Sequence, residues 1–243
     1  MKILVVGDVF GRVDLINEYL KKSDADIALC TGEIGIGKKN DWNAKNPYYF
    51  DIHHEFFGYM SGKKKFIKPV ISTYGRSDNF SEIRSIFNGA TKIENFTLLQ
   101  NGEPVSVKNN TQDELPISNI KIAGIGGVYS PKSYKSDSDN YLRHFHISHI
   151  EKLQRSGAHI LLMHDLIGGC TKKRVMFSED TYRMLESINP LYCFVGNYHW
   201  FTHAKILGTR MVVMPKIQSG YLLIDTNNEW NAEASFNLNE FQQ

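Results

Sequence analysis

Short apolar runs alternate along the chain with amphipathic stretches. The runs at 3–6 (ILVV), 27–30 (IALC), 69–73 (PVIST), 120–125 (IKIAGI), 159–163 (HILLM), 192–195 (YCFV), 211–214 (MVVM) and 220–224 (GYLLI) have the length and composition of buried strands. Between them, residues 13–22 place Val13, Ile16 and Leu20 at helical spacing and end on Lys21 and Lys22, cations that suit the carboxyl end of a helix dipole. Residues 80–87 and 145–155 repeat that spacing. Residues 178–188 open on Ser178 with Glu179 and Asp180 in the first turn, a helix start that lacks the Glu of a full capping box. Strands alternating with helices predict a mainly parallel, layered α/β fold. Residues 204–207 and 211–214 flank a Gly-Thr-Arg turn and predict an antiparallel hairpin, while 32–47, 100–118 and 126–140 hold most of the turn residues.

Composition narrows the class without naming a chemistry. At 243 residues, 42% hydrophobic and 22% charged, the chain can bury a full core and reads as one domain over 1–243. A formal net charge of +2 is no argument for a nucleic-acid partner by itself. Residues 1–6 already read as a strand rather than a secretory leader, and no apolar run reaches membrane-spanning length, so no membrane partner is expected. Cys30, Cys170 and Cys193 show no C-x-x-C spacing, which suggests reduced thiols in the cytoplasm or nucleus.

The residues that follow each strand carry the chemistry. The strands run into Gly7-Asp8, Gly32-Glu33, Gly75-Arg76-Ser77-Asp78-Asn79, Gly126-Gly127, His164-Asp165 and Gly196-Asn197-Tyr198-His199. Any one of these is an ordinary turn. Ligands of open α/β sheets, however, bind outside the carboxyl ends of the strands. Five of the six endings put an acid, amide or imidazole there, together an inventory of metal ligands.

The order of these motifs resembles the calcineurin-like metallophosphoesterases, whose pattern is D-x-H, G-D, G-N-H-D/E, a lone His and G-H-x-H. The resemblance covers roughly residues 1–225. It is nearest to the RNA lariat-debranching enzymes and their splicing-factor relatives, through "FFGYMSGKKKFIKPVISTYGRSDN", "AGIGGVYSPKSY" and "AHILLMHD". It implies a two-sheet metallophosphoesterase sandwich with flanking helices and a two-metal site on the strand-end loops. Asp8 matches the opening Asp, but Phe10 stands where a His ligand belongs. Glu33 stands at the Asp that bridges both metals, and Arg76 and Ser77 replace the metal-binding Asn and the catalytic His. His164 matches the lone His, Asn197 replaces the first His of the last motif and His199 matches the second.

The resemblance then implies metal ligands among Asp8, Glu33, His164, Asn197 and His199, for one Mn, Fe, Zn or Mg ion or for none. Arg76 is permanently cationic. It is expected to replace the second ion, pairing with Glu33 at rest or clamping phosphate together with Asn197, with an outward, solvated side chain as the alternative, while His164 and Asp78 are the catalytic candidates. Asp78 can donate a proton in place of the missing His only with a raised pKa. The implied activity is that of a metal-dependent phosphodiesterase on a nucleotide or RNA. The alternative is a pseudoenzyme that kept the fold as a binding or scaffold protein with a protein partner.

Other features carry less. His144, His146 and His149 resemble a metal cluster by composition, but no acid joins them at ligand spacing, and a solvated face is expected. Phe10 is expected in the core, and His203 on the surface or in packing. "KKK" at 63–65 and "KK" at 38–39 flank the aromatics "YYF" (48–50) and "FF" (56–57). That pattern suits a nucleic-acid strand, but a helix packing Phe56, Phe57 and Tyr59 inward explains it better. "GEIGIG" (32–37) and "GIGG" (124–127) lack the remainder of a nucleotide fingerprint.

Overall fold

The structure, a computed structural model, describes residues 1–37, 54–109, 117–135, 142–169, 178–227 and 230–236. In chain order, β1 (Lys2–Val6), α1 (Asp14–Ser23), β2 (Ile27–Cys30), α2 (Phe56–Met60), β3 (Val70–Ser72), α3 (Phe80–Phe87) and β4 (Phe96–Leu98) come first. Next are β5 (Val105–Lys108), β6 (Asn119–Ile125), α4 (Pro131–Tyr134), α5 (Ile147–Gln154), β7 (Ile160–Met163), α6 (Glu179–Ile188) and β8 (Tyr192–Val195). The last four are β9 (Thr202–Ile206), β10 (Thr209–Val213), β11 (Gly220–Asp225) and β12 (Asn231–Phe236).

These strands form two six-stranded sheets, ordered β12-β11-β1-β2-β3-β4 and β5-β6-β7-β8-β10-β9. β1 to β4 are mutually parallel, as are β6, β7, β8 and β10. The antiparallel strands β11, β12, β5 and β9 extend them outward. Alternation along each strand splits the core into three layers. Ile3 and Val5 of β1 join Leu29, Ile122, Leu162 and Phe194 between the sheets. Leu4 and Val6 point the other way, onto Ile16 and Leu20 of α1. On the second sheet, Leu161 and Cys193 face Leu153 of α5 and Met184 of α6. Strands buried on both faces are continuous apolar runs rather than alternating ones, which is why ILVV and YCFV are so plain in the sequence.

Local chemistry sets the helix ends. α1 carries Asp14 in its first turn and Lys21 and Lys22 in its last, each complementary to the dipole. Asn79 caps α3 by accepting from the Ser81 and Glu82 N–H groups, and Ser178 caps α6 by accepting from the Thr181 N–H. A side-chain cap of this kind contributes about 1 kcal/mol.

The structure departs from the sequence reading in several places. β5 lies in the expected loop at 100–118 and α4 in that at 126–140, while β4 and β12 were not expected at all. The expected hairpin is present as β9–β10, but it turns at Leu207 and Gly208, and Thr209 and Arg210 of the expected turn belong to β10. Phe56 and Tyr59 of α2 are buried, but Phe57 is 42% exposed, because neighbours i and i+1 cannot share one face of a five-residue helix. Lys64 and Lys65 pair with Asp14 and Glu94 at the surface. Cys30 and Cys193 are free and buried. Cys170 and the 38–39 and 48–50 segments lie outside the described residues. No helix among the described residues is long and apolar enough to cross a membrane.

Candidate active site

Strand ends of both sheets deliver their polar side chains to one place. Asp8 and Glu33 follow β1 and β2 of one sheet, and His164 and His199 follow β7 and β8 of the other. Asp8 is 1% exposed. Its Oδ2 accepts from His199 Nε2 and from the Asn197 backbone N–H, each at 2.9 Å. Its Oδ1 lies 3.5 Å from His164 Nδ1 and has no hydrogen-bond partner. Burial would raise the Asp8 pKa, but His164 and His199 outweigh it and hold the carboxyl well below the usual carboxylate range.

His164 is fully buried. Its Nδ1 lies 3.2 Å from the Thr31 carbonyl oxygen. A carbonyl can only accept, so Nδ1 carries the proton and the lone pair sits on Nε2. Nε2 has no hydrogen-bond partner and stands 3.4 Å from Glu33 Oε1. Burial alone would lower the imidazole pKa, but Asp8 and Glu33 hold it well above the ordinary value.

Glu33 is 4% exposed. Its Oε1 accepts from the Arg76 N–H at 3.1 Å, and its Oε2 accepts from the Ser77 N–H at 3.2 Å. Asp78 lies behind it, accepting from the N–H groups of Ile34 (3.3 Å), Gly35 (2.8 Å), Ile36 (2.7 Å) and Gly75 (2.8 Å). It thereby staples the Glu33 loop to the Gly75 loop. Burial and the Glu33 carboxylate push Asp78 up to about 7, against the backbone N–H groups that favour its ionised form. Asp165 is a second staple, accepting from the Tyr198 hydroxyl (2.6 Å) and the Tyr129 N–H (2.9 Å).

The backbone is strained at this site. Phe10, Glu33, Asn197 and His199 have φ of 48°, 43°, 62° and 61°, a region costly for residues other than glycine and frequently used at functional sites. Glycines make the close approaches. A Cβ on Gly32, whose φ is 122°, would lie 2.6 Å from His164 Nδ1. One on Gly75 would overlap the Glu33 carboxyl, and one on Gly196 the Asp8 carboxyl.

Phe10, His146 and His149 sit differently from expectation, whereas His203 is on the surface as expected. Asn197 reaches Asp8 through its backbone N–H. Arg76 is exposed and meets Glu33 through its own N–H. Phe10 is half-buried and outside the three core clusters, its ring edge-on to His199 at 5.3 Å with Lys216 Nζ 5.1 Å from its centre. His146 and His149 form a reciprocal cap at the start of α5 rather than a solvated face. His203 is exposed on β9. Sequence reasoning missed Thr31 and Lys216. The Thr31 contribution is a backbone carbonyl, which leaves no mark in side-chain chemistry.

The donors at this site fit a divalent ion in kind. A tetrahedral ion with bonds of about 2.1 Å sets adjacent ligand atoms about 3.4 Å apart, and the Glu33 Oε1–His164 Nε2 separation is 3.4 Å. A carbonyl on Nδ1 is the usual orienting partner of a metal-binding imidazole. Among the described residues, however, no group of three His, Cys, Asp or Glu side chains is assembled to hold an ion.

No protein-family profile matches the sequence, and neither does any curated protein. Solved structures do share its fold. TT1561 of Thermus thermophilus aligns with a TM-score of 0.61 at 14% identity, over 97% of this chain and 98% of that one. GAP50, the anchor in the inner membrane complex of Plasmodium, aligns with 0.52 at 11% identity, over 88% and 71%. The calcineurin-like phosphoesterase YfkN from Bacillus subtilis aligns with 0.50 at 14% identity, over 97% and 88%. With its paired six-stranded sheets and flanking helices, the chain has the two-sheet α/β sandwich fold of the metallophosphoesterases.

Proposed function

We propose that the chain is a metal-dependent phosphoesterase, a phosphodiesterase acting on a nucleotide or RNA, with a remodelled one-metal site. The observation that carries this reading is the unpartnered, buried Nε2 of His164, its lone pair fixed by Thr31 and turned toward Glu33. Glu33 and His164 would hold the ion, with Asp8, Asn197 and His199 beside them. Once bound, it would supply Lewis-acid stabilisation of charge developing on the phosphoryl group.

The protein's own groups do the rest. Arg76 would offer a planar fork to a phosphate, and the Asn197 amide would join it. Asp8 holds His199 by its Nε2–H and so orients the ring that Phe10 packs against. Asp78 accepts from four backbone N–H groups and so would position the Glu33 and Gly75 loops. Ser77 has no useful pKa for protonating the leaving oxygen, a loss of about 10²–10⁴-fold in rate where an imidazole would serve.

A second reading is a phosphoester-binding scaffold without turnover. It is supported by the lack of an assembled three-ligand group among the described residues and by Phe10 and Arg76 at ligand positions. Equilibrium dialysis with Mn²⁺, paired with hydrolysis of bis(p-nitrophenyl) phosphate, separates the two. The phosphoesterase reading expects about one ion per chain, lost in His164→Ala, and hydrolysis that depends on it. No bound ion and no hydrolysis would overturn it and leave the scaffold.

A further inference from the structure

The edge of the sandwich at β9 and β12 breaks the rule that inner faces of packed sheets are apolar. β9 is the outermost strand of one sheet and β12 of the other. Register sets Arg210 beside Lys205 and Val212 beside His203, so alternation puts these four on one face. Val212 belongs to the core between the sheets, whereas Ala204 and Met211 belong to the helix-covered outer layer. His203, Lys205 and Arg210 therefore face inward. Across from them, Ala232 and Ala234 of β12 pair with Ile224 and Leu222, which also face inward.

Opposite β9, Ala232 and Ala234 present only methyl groups. What remains is a cleft of about 530 Å³, a volume suited to a small organic ligand. Among the described residues, its walls carry three basic side chains and no acidic one. Arg210 Nη1 donates to the Tyr192 hydroxyl (2.8 Å) and the Trp230 carbonyl (2.6 Å), both neutral acceptors. Lys205 and Arg210 are solvent-exposed at the cleft mouth, and among the described residues no carboxylate pairs with them, which leaves their charge for an anion. No lining residue belongs to the Asp8–His199 site.

We propose that this cleft binds an amphipathic organic monoanion. Its carboxylate meets Lys205, His203 and Arg210, and its hydrocarbon body lies between Val212 on one side and Leu222, Ala232 and Ala234 on the other. The site is independent of the phosphoesterase reading.

Isothermal titration of the full chain with octanoate, octanol and octylammonium tests this. Saturable one-to-one binding of octanoate is expected, with weaker binding of octanol and none of octylammonium. Lys205→Gln is expected to weaken octanoate about tenfold, the value of a hydrogen bond to a charged group, and to leave octanol unchanged. Ala234→Phe, with an unchanged circular dichroism spectrum, is expected to abolish both. Equal affinity for octanoate and octanol, binding that survives both substitutions, or no binding at millimolar octanoate would each overturn the proposal.

Discussion

His164 has a carboxylate on each side and one nitrogen committed to a carbonyl. What occupies the other nitrogen is a contest between a proton and a cation, because metal binding requires the neutral imidazole and releases the proton. Glu33 weights that contest, so Glu33→Gln, which keeps an acceptor for the Arg76 and Ser77 N–H groups, removes charge alone. We expect Mn²⁺ affinity to fall by more than the roughly 10–100-fold seen when only a ligand's support is disturbed, because a ligand itself loses its charge, with little change in the urea midpoint; equilibrium dialysis and urea unfolding check both halves. Gly196→Ala is expected to act sterically. A methyl group there meets the Asp8 carboxyl, and overpacking of this kind costs about 1–3 kcal/mol. Urea unfolding should show that loss, together with lost activity. At this scale the sequence told much: Asp8, Glu33, His164 and His199 were all legible as strand-end residues. Phe10 was not, because a phenylalanine beside a strand reads as core whether or not its backbone turns it toward the rim.

The start of α5 depends on a neutral histidine. His149 Nδ1 accepts from the His146 N–H, and Asn101 Nδ2 lies 3.3 Å from the same nitrogen. Asn101 also accepts from Gly126, tying the loop after β4 to the glycine turn after β6. Burial, then His146 and Lys152, lower the His149 pKa from 6.5 to about 4. A folded value below the unfolded one means that the unfolded chain binds the extra proton first. The stability in question is whole above 6.5 and drains away as pH falls toward about 4. The urea midpoint is expected to drop over that window, and less steeply in His149→Gln. A flat profile would contradict the cap. Elements were legible in proportion to their burial. β1 and β8 are buried on both faces and read as runs, whereas β5 alternates half-buried with exposed residues and β12 is almost wholly exposed. Edge strands carry polar and small residues because water is on one side of them, and the apolar signal goes with it.

Across the whole molecule, the two sheets bring separate halves of the site. Neither Asp8 and Glu33 nor His164 and His199 can make the arrangement alone, and their contacts join positions more than a hundred residues apart. Layered α/β architecture was predictable from alternating strands and helices. The docking of one sheet on the other was not, because no local pattern encodes which inner face meets which. That arrangement makes the site a clasp. Whatever binds between Glu33 and His164 holds one half of the sandwich shut against the other, and ligand at 100 times its Kd adds about 2.7 kcal/mol to the closed form. Mn²⁺ is accordingly expected to raise the Tm of the wild type and not of His164→Ala, as scanning calorimetry would show. Opening the sandwich by heat would then release the ion in the same step, so that loss of the fold and loss of its cargo become one event.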